Sequence, residues 1–399
     1  MKLTDYLGVS AEVLQDYIDQ GLVDTSFHPT FPLVIFTYSR KCVAEQAWDK
    51  VTTKCRGLIA NTETDDVVAR PFEKFFNYGD PMAGVQLANW TSNLDEATPG
   101  NAVIFHEPDT IYEKMDGFLC TMYKWDGKSH IASKGSFDSP HAKWATAVYN
   151  DRAPLIKQWP EGYTPVFEGI TKNLRIVVDY GDREELVLIG LINVETGEEL
   201  SAESLQIWAK ANGFTTPLIE SEKLETVTHV ALDSTVKNFE GYVAVWHRPG
   251  MTPFRLKIKF QDYLRIHRLV TGVSPKRVLE ALVNGWKSEL DEWTNESTPW
   301  FNEFVSKWRK ALESKYTALD EQAKTTIKMI NDRLKFDGQL TMVNYAAARK
   351  AFALEFTKHP EIAPILFALL DGKDPAPFIW KRVKPMISGS HPMVDAAKL

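Results

Sequence analysis

The chain has 399 residues, 44% of them hydrophobic, which is enough for two globular domains with sizeable cores. Its net charge of −7 excludes a protein that binds nucleic acid through a uniformly basic surface. Residues 1–269 carry 27 Lys+Arg against 37 Asp+Glu, whereas residues 270–399 carry 19 against 16. Any site for a polyanion in the first part must therefore be a local cluster of cations.

The cysteine and hydropathy patterns indicate a cytoplasmic protein. Cys42, Cys55 and Cys120 are too few and too far apart for a disulfide framework or a zinc site. No apolar run approaches the ~20 residues needed to span a bilayer, so we expect no membrane partner. The first 20 residues have the pattern of an amphipathic helix. They lack the apolar region and the cleavage site of a signal peptide.

Short strand-like runs dominate from about Phe31 to Phe260. Two hairpins are predicted, CRGLIANTETDDVVARPF with a turn at Thr-Glu-Thr-Asp and FLCTMYKWDGKSHIASKGSF with a turn at Asp126-Gly127. Further strand-like runs are TPVFEGI, RIVVDYG, ELVLIGLINVETGEEL, FEGYVAVWH and FRLKIKF. A helix is predicted for SAESLQIWAKANG, which begins with a Ser-x-x-Ser cap and ends at Asn-Gly.

After Tyr263 the pattern becomes helical. Capping residues and prolines mark helix starts in SPKRVLEALVNGWKSELDEW, TPWFNEFVSKWRKALESKYTALDEQAKTTIKMINDRLKF, TMVNYAAARKAFALEF and DPAPFIWKRVKP. We therefore predict a first domain over residues 1–265 and a helical C-terminal domain over residues 266–399.

The stretch IYEKMDGFLC places Lys114 two residues before Asp116-Gly117, inside a strand-like run. Asp-Gly is a common turn signal, and a lysine beside a turn is usually a solvated charge. Taken alone, the tetrapeptide favours an ordinary surface turn. Two familiar nucleotide motifs are missing, since Met122 stands where a P-loop at Gly127-Lys128-Ser129 needs its first glycine, and no Gly-x-Gly-x-x-Gly occurs.

Lysines, arginines and glutamates recur on the predicted strands of the first domain. Lys257 and Lys259 alternate with Leu256 and Ile258, so both lysines share one face of a strand. Alone, that pair is equally compatible with a solvated face and with an anion site. The other members of the set are Arg56, Lys74, Lys134, Glu168 and Glu240.

Together these residues suit attack by a lysine on a nucleotide phosphate. The cations would bind the triphosphate and lower the pKa of the attacking amine. The carboxylates would hold Mg²⁺ or the nucleoside. Phosphoryl transfer depends mainly on positioning and charge neutralisation, so many cations and few unusual groups are expected.

The order and spacing of four segments resemble motifs I, III, IV and V of the covalent nucleotidyltransferases, which include polynucleotide ligases and mRNA-capping enzymes. These segments are Lys114-x-Asp116-Gly117, Phe167-Glu168-Gly169, Glu240-Gly241-Tyr242-Val243 and Leu256-Lys257-Ile258-Lys259. Five more are similar to the bacteriophage RNA ligase 1 family (T-even-like, tRNA-repair type). They are Arg56-Gly57, RPFEKFFN, Ser133-Lys134-Gly135-Ser136, NLRIVVDYG and NVETGEE.

The resemblance spans about Tyr38 to Lys259 and implies an α+β fold. That fold is an ATP-grasp-like nucleotidyltransferase domain of antiparallel sheets with helices, followed by an all-helical C-terminal domain. One departure concerns LIGLINVE, where related ligases carry an aromatic residue that stacks on adenine. No aromatic residue occupies positions 188–194.

The resemblance also implies a role for each candidate residue. Lys114 becomes adenylated, and Asp116-Gly117 turns the chain so that the amine faces a nucleotide for which the glycine leaves room. Lys134 is an essential cation. Glu168 contacts the ribose or supports a metal ion, and Glu240 supports the metal and the adenylation step.

Phosphate binding is implied for Lys257 and Lys259. The other implied nucleotide-binding residues are Tyr38, Arg56, Lys74, Gly117 and Phe76, with Phe76 or a neighbour packing near the base.

The function implied is that of an ATP-dependent RNA ligase that uses ATP and Mg²⁺. Such an enzyme joins 5′-phosphate and 3′-hydroxyl RNA ends through a lysyl-AMP intermediate, as in repair of a broken tRNA anticodon loop. Two alternatives stay open, a capping-type guanylyltransferase and a non-catalytic RNA-binding protein on a ligase scaffold. The helical tail, in place of an OB-fold, argues against the first, and the complete set of lysines and glutamates argues against the second.

The C-terminal domain has two equally favoured interpretations. Its basic residues, Lys381, Arg382 and Lys384, suit contact with RNA phosphates, or they are exposed on a structural cap. No oligomer is implied, and a phage-encoded protein would act in the host cytoplasm.

Overall fold

The structure, a computed structural model, describes residues 1–92, 107–152, 159–233, 236–286, 290–291, 299–334 and 345–383. The chain divides into two compact units, Met1–His267 and Arg268–Leu399. Among the described helices, none combines the length and the apolar character needed to cross a bilayer.

Three sheets build the first unit. The strands are β1 (Val23–Phe27), β2 (Leu33–Tyr38), β3 (Arg56–Asn61), β4 (Val67–Ala69), β5 (Phe76–Asn77), β6 (Thr110–Glu113), β7 (Phe118–Trp125), β8 (Lys128–Ser133), β9 (Tyr163–Ile170), β10 (Glu185–Asn193), β11 (Ile219–Glu220), β12 (Gly241–Trp246) and β13 (Phe254–Lys259). The first sheet has the strand order β1-β2-β3-β4, the second β10-β9-β7-β8 and the third β11-β6-β12-β13-β5. The described pairs are antiparallel except β5 with β13, which is parallel. The α+β fold class is therefore confirmed, with one parallel pair added to the antiparallel sheets.

Helices cover these sheets. Up to residue 272 they are α1 (Leu3–Leu7), α2 (Ala11–Asp19), α3 (Arg40–Glu45), α4 (Lys50–Lys54), α5 (Pro81–Ser92), α6 (Pro140–Arg152), α7 (Ala202–Ala211), α8 (Leu224–Leu232) and α9 (Gln261–Gly272). The predicted N-terminal helix is in fact two, because Gly8 ends α1 with a φ of 67° and Ser10 caps α2. The predicted serine cap of α7 is confirmed, since Ser201 accepts a hydrogen bond from the Ser204 N–H.

The second unit is helical where it is described. Beyond α9 its helices are α10 (Pro275–Asn284), α11 (Pro299–Leu334), α12 (Tyr345–Phe356), α13 (Ala363–Leu370) and α14 (Ala376–Trp380). Ser274 caps α10 and Pro275 occupies its first turn, as predicted. Lys384, one of the basic residues of the tail, lies outside the described residues.

Both predicted hairpins are confirmed, as β3–β4 and β7–β8. At the second turn Asp126 and Gly127 have φ values of 49° and 70°, the left-handed pair that a tight two-residue hairpin requires. The strand predicted for RIVVDYG is wrong, because residues 172–174 form a short 3₁₀ helix and residues 175–184 are irregular. The backbone N–H groups of Val177 and Val178 donate to a side chain, Asp116, instead of to a neighbouring strand.

The second sheet carries the largest described core of the first unit. Phe167 on β9 is fully buried among residues of β7, β8 and β10 and of helices α6 and α7. Burial of one such aromatic ring contributes about 1.5–3 kcal/mol relative to its exposure. This rigid layer carries Glu168, whose side chain points to the opposite face of β9.

Candidate active site

A short linker joins the third sheet to the second, and it contains Lys114. The linker leaves β6 after Glu113 and enters β7 at Phe118. The Lys114 N–H donates to the Gly241 carbonyl over 2.8 Å, which ties the start of the linker to β12. The lysine therefore lies at the junction of two sheets.

Asp116 anchors the middle of this linker. Its buried carboxylate accepts hydrogen bonds of 2.7 Å from the N–H groups of Val177 and Val178. A third bond of 2.8 Å comes from the Tyr263 hydroxyl. The side chain therefore fixes the linker against two distant segments of the chain.

Gly117 serves a purpose different from the one expected. It has no positive φ, so Asp116-Gly117 is not a glycine-dependent turn. A Cβ atom at Gly117 would lie 2.3 Å from the Gly169 carbonyl oxygen and 3.0 Å from Cγ of Glu168. The missing side chain thus makes room for strand β9, and Gly117 also lines the cavity in which a nucleotide is expected.

Glu240 binds two lysines at once. Its side chain is only 3% exposed, and its two oxygens lie 2.9 Å from Nζ of Lys114 and 2.8 Å from Nζ of Lys259. Burial raises the pKa of Glu240, but the two ammonium groups outweigh burial and hold the pKa below its usual value. Glu240 is therefore an ionised carboxylate that positions both amines.

The pKa of Lys114 is raised, which corrects the expectation of a lowered value. Burial lowers this pKa, but the charges of Glu240, Glu168 and Asp116 together outweigh burial. The amine is therefore held in its protonated form by its carboxylate neighbours. Attack on phosphorus requires that this proton be lost, and neutralisation of the carboxylates would favour its loss.

Glu168 lies against the same linker. Its Oε1 accepts a hydrogen bond of 3.1 Å from the Gly117 N–H. The pKa of Glu168 is raised to about 7, chiefly by burial, with the charge of Lys114 lowering it and that of Glu240 raising it. A cation bound at this carboxylate would stabilise its ionised form.

The carboxylates fit a Mg²⁺ ion that is shared with a substrate. Among the described residues, no group of three metal-ligating side chains occurs. Mg²⁺ is commonly bound by one or two carboxylates together with substrate phosphates, and Glu168 and Glu240 supply such oxygens. Both belong to one cavity with the cations described next.

The site is a cavity of about 530 Å³, a size that suits a nucleotide. The predicted residues that line it are Tyr38, Arg56, Lys114, Asp116, Gly117, Lys134, Glu168, Glu240, Lys257 and Lys259. Within the described part of the chain, Arg56, Lys134 and Lys257 form no salt bridge. Burial lowers the pKa of Lys257 well below its usual value, and the neighbouring cations lower it further. Three cations in one cavity without a salt-bridge partner among the described residues are expected of a binding site for a polyanion.

The structure also explains why glycine follows Arg56. Gly57 has a φ of 88°, and a Cβ atom there would lie 3.0 Å from the Lys134 carbonyl oxygen. The absent side chain lets β3 approach the end of β8 closely. Arg56 and Lys134 are thereby brought to the same cavity.

Two predicted nucleotide-binding residues do not line the cavity. Phe76 is buried with Phe254 and Leu256, while its neighbour Phe75 lines the cavity instead. Nζ of Lys74 lies 4.0 Å from the centre of the Phe76 ring. Burial lowers the pKa of Lys74 to about 8, helped by the charges of Arg56, Lys259 and Lys134.

Several residues of the cavity were not predicted from the sequence. Tyr263 lies in the first turn of α9 and has the pattern of an ordinary core residue, so no local signal indicated it. Arg255 also lines the cavity and is paired with the buried Glu199, over 2.7 Å from Nη1 to Oε1.

The sequence lacks the expected aromatic residue on β10, and the structure shows what lies there instead. Ile189 of β10 and Val243 of β12 form an apolar part of the cavity lining. A Cβ atom at Gly190 would lie 2.5 Å from the Phe72 ring, so the glycine lets that ring pack against β10. An aromatic side chain thus reaches this part of the cavity from another segment, the one that follows β4.

Comparison with known proteins identifies the family of the chain. A family model described as RNA ligase matches residues 54–264, just over half of the chain. An RNA ligase of Rhodothermus phage RM378 is 25% identical over 392 residues, covering 86% of each chain. RNA ligase 1 of bacteriophage TS2126 is 34% identical over 85 residues, which is 21% of this chain and 19% of that protein.

Among solved structures, an archaeal ATP-dependent RNA ligase covers 79% of this chain and 81% of its own, with a TM-score of 0.46 and 12% identity. The family model includes the linker of Lys114, both glutamates and both lysines of β13. The chain therefore belongs to the RNA ligase family, of the phage RNA ligase 1 type that its motifs resemble.

Proposed function

We propose that the protein is an ATP-dependent RNA ligase that joins 5′-phosphate and 3′-hydroxyl RNA ends through lysyl-AMP at Lys114. The observation that carries this proposal is the position of the Lys114 amine. It is held 2.9 Å from Glu240 in a cavity where Arg56, Lys134 and Lys257 have no salt-bridge partner among the described residues. A nucleophile, its positioning carboxylate and a cluster of phosphate-binding cations are the parts that this chemistry needs.

In the first step the Lys114 nitrogen attacks the α-phosphorus of ATP. The new bond is P–N, and the bond from the α-phosphorus to the oxygen bridging to the β-phosphate breaks, so pyrophosphate leaves. The amine, which donates to Glu240 over 2.9 Å, loses its proton to solvent as the P–N bond forms. Arg56, Lys257 and Lys259 stabilise the charge of the phosphates.

Mg²⁺ bound at Glu168 and Glu240 would supply further neutralisation of the phosphates. A cation that neutralises these two carboxylates would also lower the pKa of Lys114, because their negative charges are what raises it. Nucleotide binding and activation of the nucleophile are therefore coupled through the same two side chains.

The second step moves AMP from Lys114 to the 5′-phosphate of RNA and forms a 5′–5′ pyrophosphate link. In the third step a 3′-hydroxyl attacks the RNA phosphorus, a phosphodiester bond forms and AMP leaves. We place the sealed substrate in the tRNA class, on the family relationship, and the site of action in the cytoplasm of a phage host.

The experiment is incubation with ATP labelled at the α-phosphate, followed by denaturation. We expect a labelled protein that Lys114→Ala and Lys114→Arg abolish, because a guanidinium stays charged and does not attack phosphorus. Lys124→Ala, at an exposed position on β7, is the matched control and should label normally. A normal adduct in Lys114→Ala, or labelling by GTP instead of ATP, would contradict the proposal.

We also propose that the nucleotidyltransferase unit covers residues 1–265 and that residues 266–399 contact the RNA substrate. Lys381 is exposed, whereas Arg382 donates to the backbone carbonyls of Phe378 and Glu361 and so supports the fold. Lys381→Glu in the full chain should weaken RNA binding and lower the dependence of log affinity on log salt by about one. It should leave lysyl-AMP formation unchanged, and an equal salt slope would favour a purely structural role.

A further inference from the structure

Trp48, an aromatic residue beside the cavity, has no role in the adenylation step described above. Tyr38 lines the cavity, and its ring centre lies 5.0 Å from that of Trp48 at an interplanar angle of 85°. Trp48 itself is not part of the cavity lining and is half-buried. The indole therefore lies one side chain beyond the cavity wall.

Two cations accompany these rings. Nζ of Lys74 lies 5.0 Å from the centre of the Trp48 ring, and Nζ of Lys134 lies 4.4 Å from that of Tyr38. Neither lysine forms a salt bridge within the described part of the chain. The low pKa of Lys74, about 8, reflects burial and the surrounding positive charge. The excess of positive charge in the cavity thus continues past Tyr38.

The indole is held in place before any ligand arrives. Trp48 Nε1 donates to Gln46 Oε1 over 3.2 Å, and the Phe76 ring meets the indole edge-on, with ring centres 5.7 Å apart at an angle of 77°. The residue that follows, Asp49, caps α4 through the N–H groups of Val51 and Thr52. A ring fixed in this way loses little conformational entropy when a base stacks on it.

We propose that Trp48 stacks on the first nucleoside of the RNA strand that carries the 5′-phosphate, while Lys74 and Lys134 hold its phosphates. This inference rests on the proposed ligase function. Stacking of a base on an aromatic ring beside unpaired cations is the general mode of binding single-stranded nucleic acid. Inside the cavity Ile189 and Val243 offer an apolar surface that would suit the base of ATP, so an aromatic residue outside the cavity suits a second nucleotide.

The position also suits the order of the reaction. The 5′-phosphate must approach the phosphorus of lysyl-AMP from the side of the cations, after pyrophosphate has left. Lys134 lines the cavity and also contacts Tyr38, so it links the nucleotide site to the Trp48 surface. Trp48 is thus assigned to the transfer step and not to the formation of lysyl-AMP.

The test separates these two steps in Trp48→Ala, Trp48→Phe and the control Trp125→Ala, which removes a half-buried tryptophan of β7. Lysyl-AMP formation from ATP should stay within about twofold of the original protein in all three variants. For transfer from preformed lysyl-AMP, the concentration of 5′-phosphorylated RNA that gives half-maximal rate should be about tenfold higher in Trp48→Ala. A loss of affinity of about tenfold is typical of the loss of one stacked base. Trp48→Phe should recover most of that loss.

A second RNA, whose first nucleotide lacks its base, tests the stacking directly. The original protein should bind it about tenfold more weakly than the intact RNA, whereas Trp48→Ala should not distinguish the two. Equal transfer by Trp48→Ala and the original protein would overturn the inference and leave the ligase function intact. An equal loss in lysyl-AMP formation and in transfer would also overturn it, because Trp48 would then only support the cavity. If the unaltered protein forms no lysyl-AMP, the ligase proposal itself fails.

Discussion

The Tyr263 hydroxyl donates a hydrogen bond of 2.8 Å to Asp116, 147 residues earlier in the chain. Asp116 lies in the linker that contains Lys114, and Tyr263 lies in α9, directly after the strand that carries Lys257 and Lys259. The bond therefore fixes the distance between the two halves of the site. Asp116 is buried, and the loss of this donor would leave one of its oxygens without a partner that the structure provides.

Tyr263→Phe should destabilise the protein by about 1–3 kcal/mol, because a buried carboxylate loses a hydrogen bond. Lysyl-AMP formation should also slow, since the linker of Lys114 loses one of its anchors. Thermal unfolding and single-turnover labelling measure the two effects. The matched control is Tyr242→Phe, which removes a partly exposed hydroxyl 3.3 Å from Glu220 and should change neither quantity appreciably.

Replacement of Lys257 or Lys259 by alanine should slow lysyl-AMP formation by orders of magnitude, because each removes a charge that stabilises the phosphates in the transition state. The alternation of β13 supplies the control, since Ile258 points into the core. Ile258→Ala should lower the free energy of unfolding by about 2–5 kcal/mol without a defect specific to one step. Labelling rates of both lysine variants within about twofold of the original would show that this strand face is merely solvated.

Glu168→Gln should make the protein more stable at pH 8 while it impairs labelling. Burial raises the pKa of Glu168 in the folded protein to about 7, above the ordinary value of 4.5. A raised carboxyl pKa contributes stability that is fully present below the unfolded value and is lost as pH rises through about 7. Glutamine resembles the protonated form, so it avoids this loss, worth about 1–3 kcal/mol.

Denaturant titrations at pH 5 and pH 8 check this prediction. The gap between the variant and the original protein should widen toward pH 8. A constant gap at both pH values would mean that Glu168 is not protonated near neutral pH.

Binding of a non-hydrolysable ATP analogue at pH 8 should be accompanied by proton uptake. The pKa of Lys74 is lowered to about 8 by burial and by neighbouring cations, and a polyphosphate nearby would raise it again. Affinity should be greatest below pH 8 and fall as pH rises through that value. Calorimetry in buffers of different ionisation enthalpy measures the uptake, which Lys74→Ala should reduce. Uptake that is unchanged in this variant would assign the protons to another group.

Local periodicity was sufficient to predict the parts of the site that lie on regular strands. Lys257 and Lys259 share a face because a strand alternates, and Lys114, Glu168 and Glu240 line the same cavity. The prediction that Phe76 or a neighbour packs near the base left the exact residue open. Phe75 lines the cavity and Phe76 is buried in a neighbouring core cluster, a choice that sequence alone does not decide.

The remaining differences depend on contacts between distant segments. RIVVDYG has the composition of a strand, yet its N–H groups bind Asp116, a partner about 60 residues away that no local pattern reveals. The direction of the pKa change at Lys114 depends in the same way on how near the carboxylates and the cations lie. The sequence contains both cations and carboxylates near this site. Only the fold shows that Glu240, Glu168 and Asp116 lie close enough to Lys114 to raise its pKa.

The linker of Lys114 spans two sheets in four residues, from the end of β6 to the start of β7. Because the linker is so short, the position of the Lys114 amine depends directly on how the two sheets lie against each other. A small slide of one sheet over the other would move the amine away from Glu240 before either sheet lost its own hydrogen bonds. On heating, the ability to form lysyl-AMP should therefore disappear at a lower temperature than the β-sheet signal in circular dichroism.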